Sequence, residues 1–220
     1  MTPLSFVWAN VAPCVLDHSL DTNMVWIAAV ICYALNGVFL EVCGGKMCQP
    51  DTQLLPLTDI MPIVLFNLMS TYVLVYIPIP TQPNVSSFDA CIYLTAAGIG
   101  NELIYAPVHR LLHVSWCFKY HQLHHRQKAP RALGAVYCSL VEMWVANVSS
   151  FLLPLYLMNA PLQIYMIWIV SGMQTTQLHH SGKSFIWSFG HQPKFHDDHH
   201  RFVKKNFGNL GFFEAFLSNS

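Results

Sequence analysis

The chain has 220 residues, enough for one domain, with 54% hydrophobic and only 10% charged residues, a balance unusual for a soluble protein of this size and natural in a bilayer. Lys plus Arg and Asp plus Glu number 11 each, so the basic excess that phosphate contacts require is missing and nucleic acid is not expected as a partner.

The first twenty residues lack a positive start and contain Pro3, Asn10, Pro13, Asp17 and His18, so no cleavable signal peptide is expected and insertion falls to internal helices. A helix needs roughly 20 mainly apolar residues to cross the hydrocarbon. Stretches 24–40, 60–80 and 90–108 read as three such helices, the third with Asn101 and Glu102 inside it. After a polar section, 133–158 and 161–178 read as two apolar limbs broken at Asn159-Ala160-Pro161, a hairpin turn. The seven cysteines are scattered singly and read as small buried hydrophobes; only Cys43 and Cys48 are spaced to pair or to share a metal. Trp116, Trp168 and Trp187 fall near predicted helix boundaries and read as interface anchors.

Cations are distributed unevenly. Apart from Lys46, none precedes Arg110; five lie between Arg110 and Arg131, and Lys183, Lys194, Arg201, Lys204 and Lys205 form a second group. By the positive-inside rule both basic sections face the cytosol, which places the N-terminus and the 81–89 loop in the lumen. That loop carries Asn84-Val85-Ser86, an acceptor sequon. The expected organisation is all-α, a multi-pass transmembrane bundle with membrane helices over 1–99 and a histidine-bearing part over 100–220, forming one integrated unit without internal repeats.

Nine of the twelve histidines fall in four groups: His109 and His113; His121, His124 and His125; His180; and His196, His199 and His200. Residues three or four apart share one helix face, so each pair can aim two imidazoles at one point. Nine imidazoles exceed what one tetrahedral ion accepts, which argues for two ions. His18 and His191 read as ordinary polar residues, and His179, about 100° around a helix from His180, as a residue outside the ligand set. Imidazole alone leaves iron, zinc, copper and nickel open. A zinc peptidase is set aside because Arg110 stands where its HExxH motif has glutamate. Glu102 and Glu142, carboxylates near membrane depth, are expected to face inward, either accepting an N–H from a ligand imidazole or pairing with Arg110 or a neighbouring arginine.

Asn101-Glu102 leading into His109-Arg110-Leu111-Leu112-His113, then His121-Gln122-Leu123-His124-His125, His180-Ser181-Gly182, Phe195-His196-Asp197-Asp198-His199-His200 and Asn206-Phe207-Gly208 resemble, in order and spacing, the fatty acid hydroxylase superfamily, which includes methylsterol monooxygenases, sterol desaturases and cholesterol 25-hydroxylase. The resemblance runs from about residue 100 to the C-terminus. It implies an endoplasmic-reticulum membrane enzyme with two iron ions on the nine histidines, zinc being an alternative occupant in purified or inactive protein. It further implies oxidation of a sterol or fatty acyl lipid with O2, using electrons from NAD(P)H through a reductase and a b-type cytochrome. Glu102, Glu142 and Asn206 are then candidates to support the ligands. Two departures stand out: Ser139 where many relatives have histidine in a His-Pro-x-Glu segment, and Gly211-Phe212-Phe213-Glu214 in place of the usual C-terminal pattern. They motivate the alternative of a non-catalytic lipid-binding or scaffold relative; a zinc-dependent membrane hydrolase is a second alternative.

Overall fold

A computed structural model describes residues 21–43, 45–82, 85–184 and 192–209. The expectations for His18, Trp187, His191, the sequon's Asn84 and the 211–214 segment lie outside these residues.

The first helix, α1 (Thr22–Val42), starts at Asp21, whose carboxylate accepts the Met24 N–H at 2.8 Å as an N-cap. Val25, Ala29, Tyr33, Gly37 and Leu40 recur at steps of three and four and are buried. Met24, Ile27, Ile31, Leu35, Val38 and Val42 recur in the same way on the opposite side and are exposed. A helix apolar on both faces is one whose outer face meets lipid. The second helix, α2 (Leu57–Ser70), continues as a 3-10 segment over Thr71–Tyr76 and repeats the pattern, with Ile60 and Val64 inside and Leu65, Phe66, Met69 and Val73 outside.

Three further long helices follow: α3 (Ser87–Leu112), α4 (Leu140–Leu157, with a π-helical stretch at Met143–Val148) and α5 (Leu162–His179). The α4–α5 turn lies where the sequence places it, with Asn159 in the left-handed region at φ 51°. A short helix, α6 (Gln192–Phe202), completes the set, and the only sheet among the described residues is a two-residue antiparallel ladder between β1 (Lys46–Met47) and β2 (Lys183–Ser184).

Three helices are long and apolar enough to cross a membrane: Thr22–Val42, Leu57–Tyr76 and Leu140–Leu157. The expected spans at 90–108 and 161–178 do form helices, but neither is apolar enough by the same measure. Their polar residues serve the interior instead. Asn101 and Glu102 hold the chain near the histidines, and Gln177 locks α5 to α1, accepting from Asn36 Nδ2 at 2.8 Å and donating to Tyr33 O at 2.8 Å. A Cβ on Gly37 would stand 2.6 Å from Gln177 Nε2, so glycine permits this close approach.

The five long helices alternate in direction. At one end Leu162 N–H donates to Pro80 O, Thr22 Oγ1 to Val75 O and Gln163 Nε2 to Gln82 O, each at 2.8 Å. At the other end Lys183 Nζ donates to the terminal carbonyls of α1 at Leu40, Glu41 and Cys43, satisfying groups the helix leaves open. Arg131 grips Glu41 at 2.9 Å and donates to Leu55 O at 3.1 Å, so the neighbouring arginine expected to pair with a membrane-depth glutamate pairs here instead. Every one of the eleven Lys and Arg residues lies at this second end, as do all four histidine groups. Cys43 and Cys48 are both free thiols.

Candidate metal centre

The first histidine group sits on the last turn of α3, with His113 as its C-cap. The second group was expected on a helix; it lies instead in tight 3-10 turns around Phe118–Tyr120 and His124–Arg126. His180 caps the C-terminus of α5, and the last group lies on α6.

These elements bring all nine histidines into two adjacent clusters. One holds His109, His113, His121, His125 and His199; the other holds His124, His180, His196 and His200; within each cluster the candidate ligand atoms lie within 4.8 Å of one another. The two three-histidine groups exchange members. In the first, the i, i+4 pair His121 and His125 joins the five-histidine cluster while His124 joins the other. In the second, the i, i+4 pair His196 and His200 joins the four-histidine cluster while His199 crosses over.

Facing Nε2 atoms are 3.0 Å apart for His109 and His121 and for His121 and His125, 2.9 Å for His180 and His196, 3.0 Å for His196 and His200, and 3.4 Å for His124 and His180. Two nitrogens each about 2.1 Å from one ion are about 3.0 Å apart at a right angle and about 3.4 Å apart at the tetrahedral angle. The spacings therefore fit metal-sharing nitrogens.

Backbone carbonyls fix which nitrogen points inward. His109 Nδ1 donates to Phe207 O at 2.7 Å, His180 Nδ1 to Thr176 O at 2.8 Å and His199 Nδ1 to Lys205 O at 2.6 Å. A carbonyl only accepts, so these rings carry their proton on Nδ1 and offer the Nε2 lone pair to the cluster. His199 Nε2 is buried with no hydrogen-bond partner among the described residues, which fits a metal-ligating nitrogen. Burial pushes the ring pKa down to about 3 at His113 and about 4 at His180 and His199. It does so further at His121, His124, His196 and His200, where neighbouring imidazoles add to it. The rings are neutral near pH 7, as metal ligation requires.

The three candidate supporting residues differ. Glu142 Oε2 lies 2.9 Å from His121 Nδ1 and Oε1 lies 3.7 Å from His124 Nδ1, so one carboxylate faces a member of each cluster; the approach to His121 is oblique rather than a linear hydrogen bond. Glu102 does not reach a candidate ligand as a hydrogen-bond acceptor: Oε2 accepts the Asn209 N–H at 2.8 Å. Asn206 also misses the rings, its amide donating to Phe195 O at 2.8 Å. Its φ of 61° turns the chain so that the carbonyls on either side, Lys205 and Phe207, meet His199 and His109. Ser139 occupies the N-cap of α4, accepting the Glu142 N–H at 3.2 Å and donating to Tyr120 O at 2.5 Å. The Ser139-x-x-Glu142 spacing is a capping-box signature that sequence reading could have used.

A cavity of about 900 Å³ runs between α1, the α2 extension, α3, α4 and α5, lined mainly by apolar side chains such as Val25, Ala29, Leu74, Ile79, Leu152 and Ile169. Its floor is formed by His124, His180 and His196, all from the four-histidine cluster; no member of the other cluster reaches it.

A family model described as fatty acid hydroxylase matches residues 94–218. Among curated relatives, the fatty acid hydroxylase ahd1 of Mycosarcoma maydis is 26% identical over 179 residues, 73% of this chain and 45% of the relative. A very-long-chain aldehyde decarbonylase of Oryza sativa is 31% identical, covering 49% of this chain and 43% of its own. The methylsterol monooxygenase erg25A of Aspergillus fumigatus is 27% identical, covering 46% and 37%. The chain spans about half the length, or less, of these relatives. No solved structure matches it significantly.

Proposed function

The chain belongs to the fatty acid hydroxylase family, and from that premise we propose that it is a membrane-bound oxygenase whose nine clustered histidines hold two iron ions and oxidise a sterol or fatty acyl lipid. The observation that carries this reading is the junction of cavity and cluster: an apolar space of about 900 Å³ ends on three imidazoles of a candidate ligand set. A lipid partitioned in the bilayer fills such a space by burying its own apolar surface. Iron bound by the imidazoles would supply the oxidising chemistry for an unreactive C–H bond. The overall change is insertion of one oxygen atom into C–H, with the second oxygen atom of O2 leaving as water at the expense of two electrons and two protons.

The chain's own residues hold the neutral rings, orient them through the Lys205, Phe207 and Thr176 carbonyls, and keep water away by burial. Electrons come from outside. The histidine end carries all eleven cations, which supports a cytosolic orientation and docking of an acidic carrier such as a b-type cytochrome reduced through NAD(P)H. The endoplasmic reticulum is the membrane this scheme places it in.

The test is O2 uptake coupled to lipid turnover by purified protein, with bound iron measured in parallel. His124→Ala and His199→Ala should each lose iron and activity. Unchanged iron and full activity would sink the proposal, and turnover that persists without O2 would replace it with a hydrolytic reaction.

A further inference from the structure

The two histidine clusters meet the outside of the molecule differently. His124, His180, His196 and His200 are all buried, and three of them end the apolar cavity. The other set does not reach that cavity, yet it contains the one histidine of the nine that is not fully buried, His113 at the end of α3. Two half-buried aromatic rings flank it, Phe118 with its centroid 5.8 Å from the imidazole and Phe207 at 5.0 Å. The same rings lie against other members of the set, Phe118 at 6.0 Å from His125 and Phe207 at 5.6 Å from His199. None of His113, Phe118 and Phe207 lines the cavity, so they form a half-open cover with an outlet of its own.

The chain around this cover is cationic. The stretches 109–131 and 199–209 contain eight Lys and Arg and no Asp or Glu. Five of these cations are exposed and stand within three residues of the rings concerned: Arg110 before His113, Lys119 after Phe118, Arg126 after His125, and Lys204 and Lys205 before Phe207. Asp198, the carboxylate 3.7 Å from Lys205, is shared with Lys194 at 2.8 Å. An aromatic centre inside a cationic rim fits an acidic protein: the centre is desolvated on docking, and the rim supplies attraction at long range. A small patch suffices, since electron-transfer encounters lie at the low end of interface sizes. Electron tunnelling falls off steeply with distance, so a donor outside the membrane is best served by the more exposed cluster. The way onward is short, because the His125 ring is 5.0 Å from that of His200 in the cavity-facing set.

We propose that the two clusters divide the work: an acidic one-electron carrier docks over His113, Phe118 and Phe207 and delivers electrons to the five-histidine cluster, while the lipid meets only the four-histidine cluster. This rests on the oxygenase reading for the destination of the electrons but not for the docking surface. Each docking oxidises one carrier by one electron. Two successive dockings supply the two electrons that one oxygen insertion consumes, the two protons coming from solvent.

Docking and electron delivery are measured separately. Full-length protein in nanodiscs of zwitterionic lipid is titrated with the soluble haem domain of a b-type cytochrome, whose surface is acidic, and with a c-type cytochrome, whose surface is basic. Only the acidic domain should bind, and raising salt from about 0.02 M to about 0.2 M should weaken it about tenfold. Lys119→Glu/Lys204→Glu should slow association by about tenfold, with metal content and unfolding temperature unchanged. Lys46→Glu, at an exposed cation on β1, should leave docking as it was. In anaerobic iron-loaded protein, reoxidation of the reduced cytochrome should slow in parallel in the double variant, while dithionite reduces the same iron at an unchanged rate. The proposal is overturned by no binding of the acidic domain, by binding indifferent to salt, by docking that survives the double reversal or falls equally in Lys46→Glu, or by docking to iron-loaded protein without reoxidation. Double-variant protein that keeps the cytochrome but lets go of anionic vesicles would assign these cations to lipid headgroups instead. Lipid oxidation driven by a chemical reductant without any docking would leave the oxygenase reading standing and remove this surface. Docking at this surface by a protein that binds no iron would do the reverse.

Discussion

Glu142 Oε2 lies 2.9 Å from His121 Nδ1, and the same carboxylate turns its other oxygen towards His124 Nδ1 at 3.7 Å, so one buried acid faces a candidate ligand in each cluster. An acceptor behind a ligand imidazole fixes its tautomer and raises its basicity. Glu142→Gln keeps the shape and removes the charge. Iron affinity should fall by roughly 10 to 100-fold, the usual effect of losing such an acceptor. Metal titration of the purified variant checks this, and unchanged affinity would show that Glu142 serves packing alone.

Gly182 has φ 64°, and a Cβ there would stand 2.4 Å from Pro130 O. Both facts penalise a side chain. Gly182→Ala should lower stability by about 1–3 kcal/mol and loosen the segment that carries His180. Gly98 is the internal comparison: it is helical, and the nearest atom to its Cβ position is 3.9 Å away. Gly98→Ala should be neutral or stabilise by about 0.5–1 kcal/mol. Thermal unfolding of the two variants side by side gives opposite signs if the backbone argument is right.

Much of this architecture can be read from the residues. The length of the apolar stretches locates α1 and α2, Asn159 and Pro161 mark the turn between α4 and α5, and the spacing of the histidines picks out the nine that converge. Their partition into five and four cannot be read the same way. His124 and His125 are adjacent, as are His199 and His200, yet each pair divides between the clusters: adjacent side chains on a helical turn point about 100° apart, and which set each ring then joins depends on how the segments pack, which spacing does not state. Glu102 and Asn206 show a second limit. Membrane depth and the family resemblance made them candidates to support the ligands, whereas the hydrogen bonds seen run to backbone: Glu102 accepts the Asn209 N–H, and Asn206, in the left-handed region, donates to Phe195 O.

Acid should weaken the metal-free protein. His180 and His199 have their pKa lowered to about 4 by burial, against about 6.5 for histidine in an unfolded chain. Above pH 6.5 the ring is neutral in both states and contributes nothing to pH dependence. Between 6.5 and 4 the unfolded chain gains protons that the folded one refuses, so stability falls as pH falls, by up to about 1.4 kcal/mol per pH unit for each such ring. The unfolding temperature of metal-stripped protein should therefore drop across that window and be flat above it. A midpoint that rises on acidification would contradict the neutral cage.

All eleven cations lie at the histidine end, and the opposite end carries Asp21 and Asp89 with no Lys or Arg. Each cation left on the far side would have had to cross the bilayer during insertion, so this asymmetry supports the proposed orientation, with the cage in the cytosol. Lys204, exposed beside α6, and Ser87, exposed at the start of α3, report on the two ends. In a cysteine-depleted background, Lys204→Cys should react with a membrane-impermeant maleimide added to sealed microsomes. Ser87→Cys should react only after the vesicles are opened by detergent. The reverse pattern would turn the molecule over and place the candidate metal centre out of reach of a cytosolic electron donor, which the oxygenase proposal does not survive.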